Sequence, residues 1–266
     1  MTEHAGAPAP RTAALRVAVL GASGRMGGHV VRAVRAAPGL ELVAEVTSSA
    51  GLDALLDAPA GERPDVAVDF TVPGVTEINV QALVGAGVHA VVGTTGWDAD
   101  ALDRVRGALD AAPGVGVVVA PNFALSAVLA MTFAARAARF FESVEVVELH
   151  HPDKLDAPSG TALHTARAVA AARAAAGLGP VPDATASSLD GARGADVDGV
   201  RVHAVRLRGL VAHEEILLGN AGEQLTIRTD SFDRSSFMPG VLLAVREVVR
   251  RPGLTVGLEH LLDLGA

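Results

Sequence analysis

Residues 148–162, ELHHPDKLDAPSGTA, place two adjacent histidines, a lysine three positions after the second and a Pro-Ser-Gly-Thr turn within fifteen positions. In the strand-like run SVEVVELHH, alternation sets Glu148 and His150 on one face and Leu149 and His151 on the other, before Pro152 forces an extended turn. The two histidines therefore need not share a role. An imidazole exchanges protons near neutral pH, and a lysine turned into a pocket, as Lys154 would be, is costly to bury unless it meets an anion. Glu148, Asp153 and Asp156 could offer oxygens to a metal, but an ammonium among the ligands would oppose a cation, and no metal is expected. Ser159 is a candidate helix cap, and the N–H groups of Gly160 and Thr161 would point at a carboxylate; the alternative is an ordinary capped helix. The combination suits an acid or base acting on a small carboxylate substrate, with His150 and Lys154 as candidate catalytic residues and His151, Ser159, Gly160 and Thr161 as candidate substrate contacts.

These residues need a scaffold, and the preceding sequence supplies one. RVAVL (16–20) is a short β-branched run followed by GASGRMGGHVVRAVRAA, in which Met26, Val30, Val31 and Val34 recur at helical spacing. The alternation continues through ELVAEV (41–46), DVAVDF (65–70), a helix over 76–85, HAVVG (89–93), a helix over 99–109 and VGVVVA (115–120). Near-continuous apolar strands alternating with helices predict a parallel sheet covered on both faces. After Phe123 the pattern changes to a longer helix, LSAVLAMTFAARAARFF, and then the strand that carries the motif. Residues 177–200 have loop chemistry throughout, and VRVHAVRLRG, HEEILLG and EQLTIRTD read as three antiparallel strands. A helix over 236–249 and a short GLEHLLDLG close the chain.

Gly21, Gly24 and Gly27 sit where the first strand meets the first helix, so that backbone N–H groups and the helix N-terminus could face a pyrophosphate. The spacing is GxxGxxG where the usual fingerprint is GxGxxG, and an ordinary tight turn is the competing reading; the strand–turn–helix context favours nucleotide binding. Gly93, Thr94 and Thr95, and Ala120, Pro121, Asn122 and Phe123, also follow strands, where each could be a plain turn. Together with the glycine turn they predict a dinucleotide across three strand ends. Asp69 is open between helix cap and ligand contact.

The 266 residues carry a formal net charge of −8 with pI near 5.6, so an anion site must be a local basic pocket, and nucleic acid is an unsuitable partner. The absence of cysteine excludes disulfides, thiolate metal sites and cysteine nucleophiles. The first fifteen residues, rich in Ala, Pro and Gly, read as a disordered tail without a signal peptide. The uncharged stretch from Val115 towards Arg136 is interrupted by Pro121 and Asn122 and is too short to span a membrane. A cytoplasmic enzyme is the default expectation.

From Arg16 to the C-terminus the chain resembles the 4-hydroxy-tetrahydrodipicolinate reductase (dihydrodipicolinate reductase) family of the diaminopimelate and lysine pathway. VAVLGASGRMG, VVGTTGW, APNFALSAVL, HHPDKLDAPSGTA and the GARGADVDG loop carry the resemblance. It implies a Rossmann-type parallel-sheet domain over 16–125, completed by 240–266, and a smaller α+β domain over 126–239 with a mainly antiparallel sheet that binds substrate and makes a homotetramer. It implies reduction of a cyclic imine dicarboxylate by NADH or NADPH, with the second domain closing over the nicotinamide. On it, His150 is a proton donor and acceptor, Lys154 a second proton donor, and His151, Gly160 and Thr161 substrate anchors. Nucleotide contacts would come from Gly21, Ala22, Ser23, Gly24, Arg25 and Met26, from Thr47, and from the 93–95 and 120–123 turns. Two departures stand out. Thr47 falls where many members carry an acidic residue, with Glu45 two residues back, and Ser126 falls where glycine is expected. Two other readings stay open: another NAD(P)-dependent dehydrogenase of a small amino dicarboxylate, such as a diaminopimelate dehydrogenase, and a non-catalytic dinucleotide sensor.

Overall fold

The computed structural model describes residues 13–264. The first twelve residues of the expected tail lie outside the described residues, and Leu15, its last position, already opens a strand. The chain divides into two compact units, one running to Val118 with Val245–Leu254, the other comprising Val119–Ala244 with the stretch from Thr255 onward.

The first unit is built on β1 (Leu15–Leu20), β2 (Leu40–Val46), β3 (Val66–Asp69) and β4 (His89–Val92), with β5 (Gly116–Val119) and β11 (Gly253–Val256) completing a six-stranded sheet of order β11-β5-β4-β3-β1-β2. The pairs β1–β2, β1–β3 and β3–β4 are parallel. Val17, Val19, Val66, Val68, Val91 and Val117 are fully buried, as strands covered on both faces require. The connecting helices are α1 (Arg25–Ala36), α2 (Ser49–Leu56), α3 (Pro73–Gly85) and α4 (Ala99–Asp110). Helix α1 buries Val30, Val31 and Val34 of the stripe its spacing predicts, and α4 is capped by Asp98, whose carboxylate accepts the Ala101 N–H at 2.8 Å. From β1 the chain passes to β2 on one side and returns to β3 on the other. The loops after β1 and β3 thus open side by side where the strand order reverses, the place at which such sheets bind ligands.

The second unit holds α5 (Leu125–Ala138), β6 (Ser143–His150), α6 (Gly160–Ala175), β7 (Ala195–Val197), β8 (Val200–Arg206), β9 (Ala212–Asn220) and β10 (Glu223–Ser231). Its sheet has the order β10-β9-β6-β8-β7. β9 pairs antiparallel with both β10 and β6, and β7 with β8, so the sheet is mainly antiparallel as expected. The expected run of three consecutive antiparallel strands is corrected, because β6 inserts between β8 and β9 and pairs with β8 in parallel. Hydrophobic alternation fixes which face a strand buries but not its neighbour. The loop expected over 177–200 also contains a strand: β7 joins β8 through Asp198 and Gly199, both at positive φ (50° and 85°), a two-residue turn whose Asp-Gly pair is a hairpin signal. One face of the sheet, carrying Val144, Val146, Val202, Ile216 and Leu218, is buried with Ala130 and Ala134 of α5 and Ala162, Ala166 and Val169 of α6. The small residues let both helices lie close to the strands. The chain then runs through a 3₁₀ turn at Arg234–Phe237 into α7 (Met238–Val248) and β11.

Candidate functional site

Two concavities gather half of the residues singled out by sequence, one in each unit. In the first unit, a cavity of about 460 Å³ lies at the reversal point and is lined by Gly21, Ser23, Gly24, Thr47, Ser48 and Ser49, with the start of the loop after β3 opposite. Gly21 has φ of +75°, and a Cβ there would fall 2.6 Å from the Phe70 carbonyl oxygen; a Cβ on Gly27 would fall 2.0 Å from the Gly21 carbonyl oxygen. Both positions require glycine, the first for the turn and the second for the close approach of helix to loop. Gly24 caps α1 with no side chain over its N–H groups. Ala22 is buried beneath the turn, its N–H on Val46 O at 3.3 Å, while Arg25 is exposed and Met26 half-buried at the start of α1. The cradle fits a dinucleotide pyrophosphate.

Asp69 organises this edge. It is fully buried, accepting from Thr71 N at 2.9 Å, Thr71 Oγ1 at 2.7 Å, Asn79 Nδ2 at 2.8 Å and Thr94 Oγ1 at 3.0 Å. Its carboxylate is spent on tying the loop after β3 to the loop after β4. Gly93 makes room for the Phe70 ring, 2.1 Å from where its Cβ would be, and Thr95 is exposed. Glu45 points away to Arg35, at 2.5 Å, so the acidic group nearest in sequence to Thr47 is already paired.

In the second unit, a cavity of about 220 Å³ brings together His150, Lys154, Ser159 and Thr161 with Pro121 and Asn122. Two of the residues expected to touch nucleotide thus line the cavity that holds the histidine motif. His150 ends β6 with Nδ1 2.5 Å from Glu148 Oε2, the same-face pair that alternation predicts. A carboxylate only accepts, so Nδ1 carries the hydrogen and Nε2 is the nitrogen that exchanges protons. Glu148 is fully buried and also takes a fork from Arg206, 2.8 Å to each oxygen, and the Ser159 N–H at 3.0 Å. Burial alone would raise the Glu148 carboxyl, but Arg206 and His150 outweigh it and hold it below the usual carboxylate range. Burial likewise lowers the His150 imidazole, with Lys154 and Arg206 adding to the effect and Glu148 opposing it. Burial thus favours the neutral form of His150, whose Nε2 can exchange a proton with a ligand in the cavity.

Lys154 Nζ lies 2.7 Å from Asp156 Oδ1, and the Gly160 N–H, first of α6, lies 3.3 Å from Asp156 Oδ2. An ammonium and a helix N-terminus converge on one carboxylate, which is the recognition a ligand carboxylate would receive there; Lys154 holds the Asp156 carboxyl down. Ser159 is the N-cap, its buried hydroxyl oxygen accepting the Ala162 N–H at 3.2 Å. Thr161 Oγ1 accepts from Asn122 Nδ2 at 3.0 Å, and Asn122 Oδ1 accepts the Ala124 N–H at 2.8 Å, so Asn122 links the loop before α5 to the start of α6. Buried Ala120 and Phe123 flank it. His151 follows the end of β6, is half-buried and is not among the residues lining the cavity. Ser126 Oγ accepts from Thr229 Oγ1 at 2.8 Å, so the residue standing where glycine was expected joins α5 to β10. Arg206, Glu214 and His213 are additions the sequence reading did not make; they arrive through strand register, for which one sequence has no signal.

A family model for the N-terminus of dihydrodipicolinate reductase matches residues 15–123, and one for its C-terminus matches residues 126–262. The chain belongs to the dihydrodipicolinate reductase family. Among its relatives, a protein from Beutenbergia cavernae named 4-hydroxy-tetrahydrodipicolinate reductase is 69% identical over 250 residues, covering 94% of this chain and 99% of the relative. A protein of the same name from Nocardia farcinica is 62% identical over 94% of this chain and 99% of its own length. The dipicolinate-bound dihydrodipicolinate reductase from Paenisporosarcina sp. TG-14 superposes with a TM-score of 0.83 at 36% identity, covering 94% of this chain and all of that one. The resemblance read from HHPDKLDAPSGTA thus extends through both units.

Proposed function

We propose that this chain reduces 4-hydroxy-tetrahydrodipicolinate to tetrahydrodipicolinate in diaminopimelate and lysine biosynthesis, with NADH or NADPH as reductant. The observation that carries this reading is His150, its Nδ1 held by buried Glu148, in one cavity with Lys154 and the start of α6. Full-length relatives that bear the name of this activity support it. Replacing the substrate hydroxyl by hydrogen consumes one hydride and one proton and releases water. Bound NAD(P)H supplies the hydride.

The remaining work belongs to the chain. The glycine turn and the Thr47–Ser49 hydroxyls hold the nucleotide, with the turns at 93–95 and 120–123 as further contacts. Lys154 and the N–H groups of Gly160 and Thr161 take a substrate carboxylate in place of Asp156. His150 Nε2 and Lys154 Nζ deliver and collect the proton, with Glu148 keeping the imidazole in the tautomer that allows it. His151 is a further substrate anchor, and Ser159 caps the helix on which the anchors stand. The reading includes a homotetramer formed through the mixed sheet and a cytoplasmic location. Among the described residues no helix is long and apolar enough to cross a membrane.

The test is NADPH oxidation with freshly generated dihydrodipicolinate synthase product. Turnover that depends on that product is expected. Oxidative deamination of diaminopimelate instead would favour the rival dehydrogenase, and nucleotide binding without turnover would favour a sensor.

A further inference from the structure

Glu214 lines the same cavity as His150 and Lys154 and has no part in the chemistry above. It lies on β9 directly opposite Glu148 on β6, so two carboxyl groups face each other across neighbouring strands. Glu148 keeps its charge because Arg206, His150 and the Ser159 N–H all pair with it. Glu214 has no such partners: it is 4% exposed, and its Oε1 is buried without a hydrogen bond. The other neighbours do not supply a cation. Thr229, its partner on β10, gives its hydroxyl to Ser126, and Thr165 of α6 is neutral. His213 beside it on β9 is tied through Nδ1 to Asp230, and Lys154 is paired with Asp156. Burial pushes the Glu214 carboxyl up to about 7, with the charge of Glu148 adding to the rise and Thr165 opposing it.

A buried acid with an unspent oxygen, at the wall of a cavity that takes anions, is satisfied by an acceptor on the ligand. We propose that Glu214 is a ligand-contacting, specificity-determining residue, whose carboxyl group donates a hydrogen bond to an oxygen of the bound dicarboxylate. This rests on the reading of the cavity as the substrate site. Ionised Glu214 would repel the dianion and lose the donated bond, so binding retains one proton that the empty protein releases as pH rises. Affinity is therefore full while Glu214 is protonated and falls as pH rises through its titration.

The probe is dipicolinate, a planar dicarboxylate, titrated calorimetrically from pH 6 to 9 into the full chain saturated with NADH. For the wild type, Kd should weaken above neutral pH with a limiting slope of about tenfold per pH unit, the signature of one linked proton. Glu214→Gln keeps a donor of the same shape but cannot ionise. It should match the wild type within about threefold at pH 6 and bind about a hundredfold more tightly at pH 9. Glu214→Gln with the wild-type slope would overturn the proposal. Lys154→Ala separates the two readings. If it binds dipicolinate as the wild type does, the assignment of the cavity fails and Glu214 with it; if it binds weakly while Glu214→Gln keeps the slope, only the role of Glu214 fails.

Discussion

The two concavities are made from opposite materials. The cavity of the first unit is a shape: glycines at positions that reject a Cβ, a helix N-terminus without a side-chain cap, and small hydroxyl residues, with the carboxylates of Glu45 and Asp69 committed elsewhere. The cavity of the second unit is a charge arrangement, in which Arg206, Glu148, His150, Lys154 and Asp156 hold one another in register. A site that binds a pyrophosphate through backbone needs room and donors. A site that moves protons needs side chains whose charge states differ, and neighbours that keep them apart. Substitutions in the first should therefore act through sterics and binding, and those in the second through charge and turnover.

The largest effect expected is on turnover. His150→Gln should lower kcat by roughly 10²- to 10⁴-fold, the range for loss of a positioned acid or base, with nucleotide affinity unchanged. Loss of nucleotide affinity in parallel would break the division between the sites. Next, Glu148→Gln removes the anion that holds Arg206 and His150, and breaking such a buried pair should cost about 3–5 kcal/mol in a urea unfolding experiment. The sign with pH follows. A carboxyl depressed in the fold stabilises it fully above the ordinary glutamate range, and that stability is lost as pH falls through the lowered value. The wild type should lose stability on acidification below about pH 4.5, and Glu148→Gln should lose less over the same interval. Equal losses would make Glu148 a bystander.

These two residues also show where the sequence could be read and where it could not. The first sheet was legible because its strands are continuous Val and Ala runs and its turn is marked by glycines. His150 and Lys154 were legible because a strand end, a proline and a helix cap compress them into one segment. Arg206 lies 58 residues from Glu148 and reaches it only because β8 pairs with β6, and no local pattern announces that pairing. Glu214 faces Glu148 for the same kind of reason, through β9. Helix α2 has no local signal because it buries only Leu52, leaving no apolar stripe, and β11 has none because its four residues, opening at Gly253 directly after Pro252, resemble a loop.

Smaller effects sharpen the comparison further. Gly21→Ala places a Cβ 2.6 Å from a carbonyl oxygen at a left-handed φ, which should cost about 1–3 kcal/mol and weaken NADPH binding while leaving dipicolinate affinity intact. Fluorescence titration with each ligand decides it. The smallest change concerns the nucleotide alone. Thr47, Ser48 and Ser49 offer hydroxyls to either a ribose or a 2′-phosphate, so kcat/KM for NADH and NADPH should agree within about tenfold. Thr47→Asp should shift preference toward NADH by like-charge repulsion of the phosphate. A wild-type preference beyond about a hundredfold would mean that a group other than Thr47 controls the pocket.

The most direct measurement follows the hydride. With NADPH deuterated at the transferable position of the nicotinamide and the synthase product as substrate in ordinary water, the account predicts deuterium in the carbon skeleton of tetrahydrodipicolinate. Wild-type protein should transfer it within minutes, and His150→Gln should transfer it to the same carbon but far more slowly. Product that forms without the label, or NADPH that stays fully deuterated while the substrate is consumed, would contradict it.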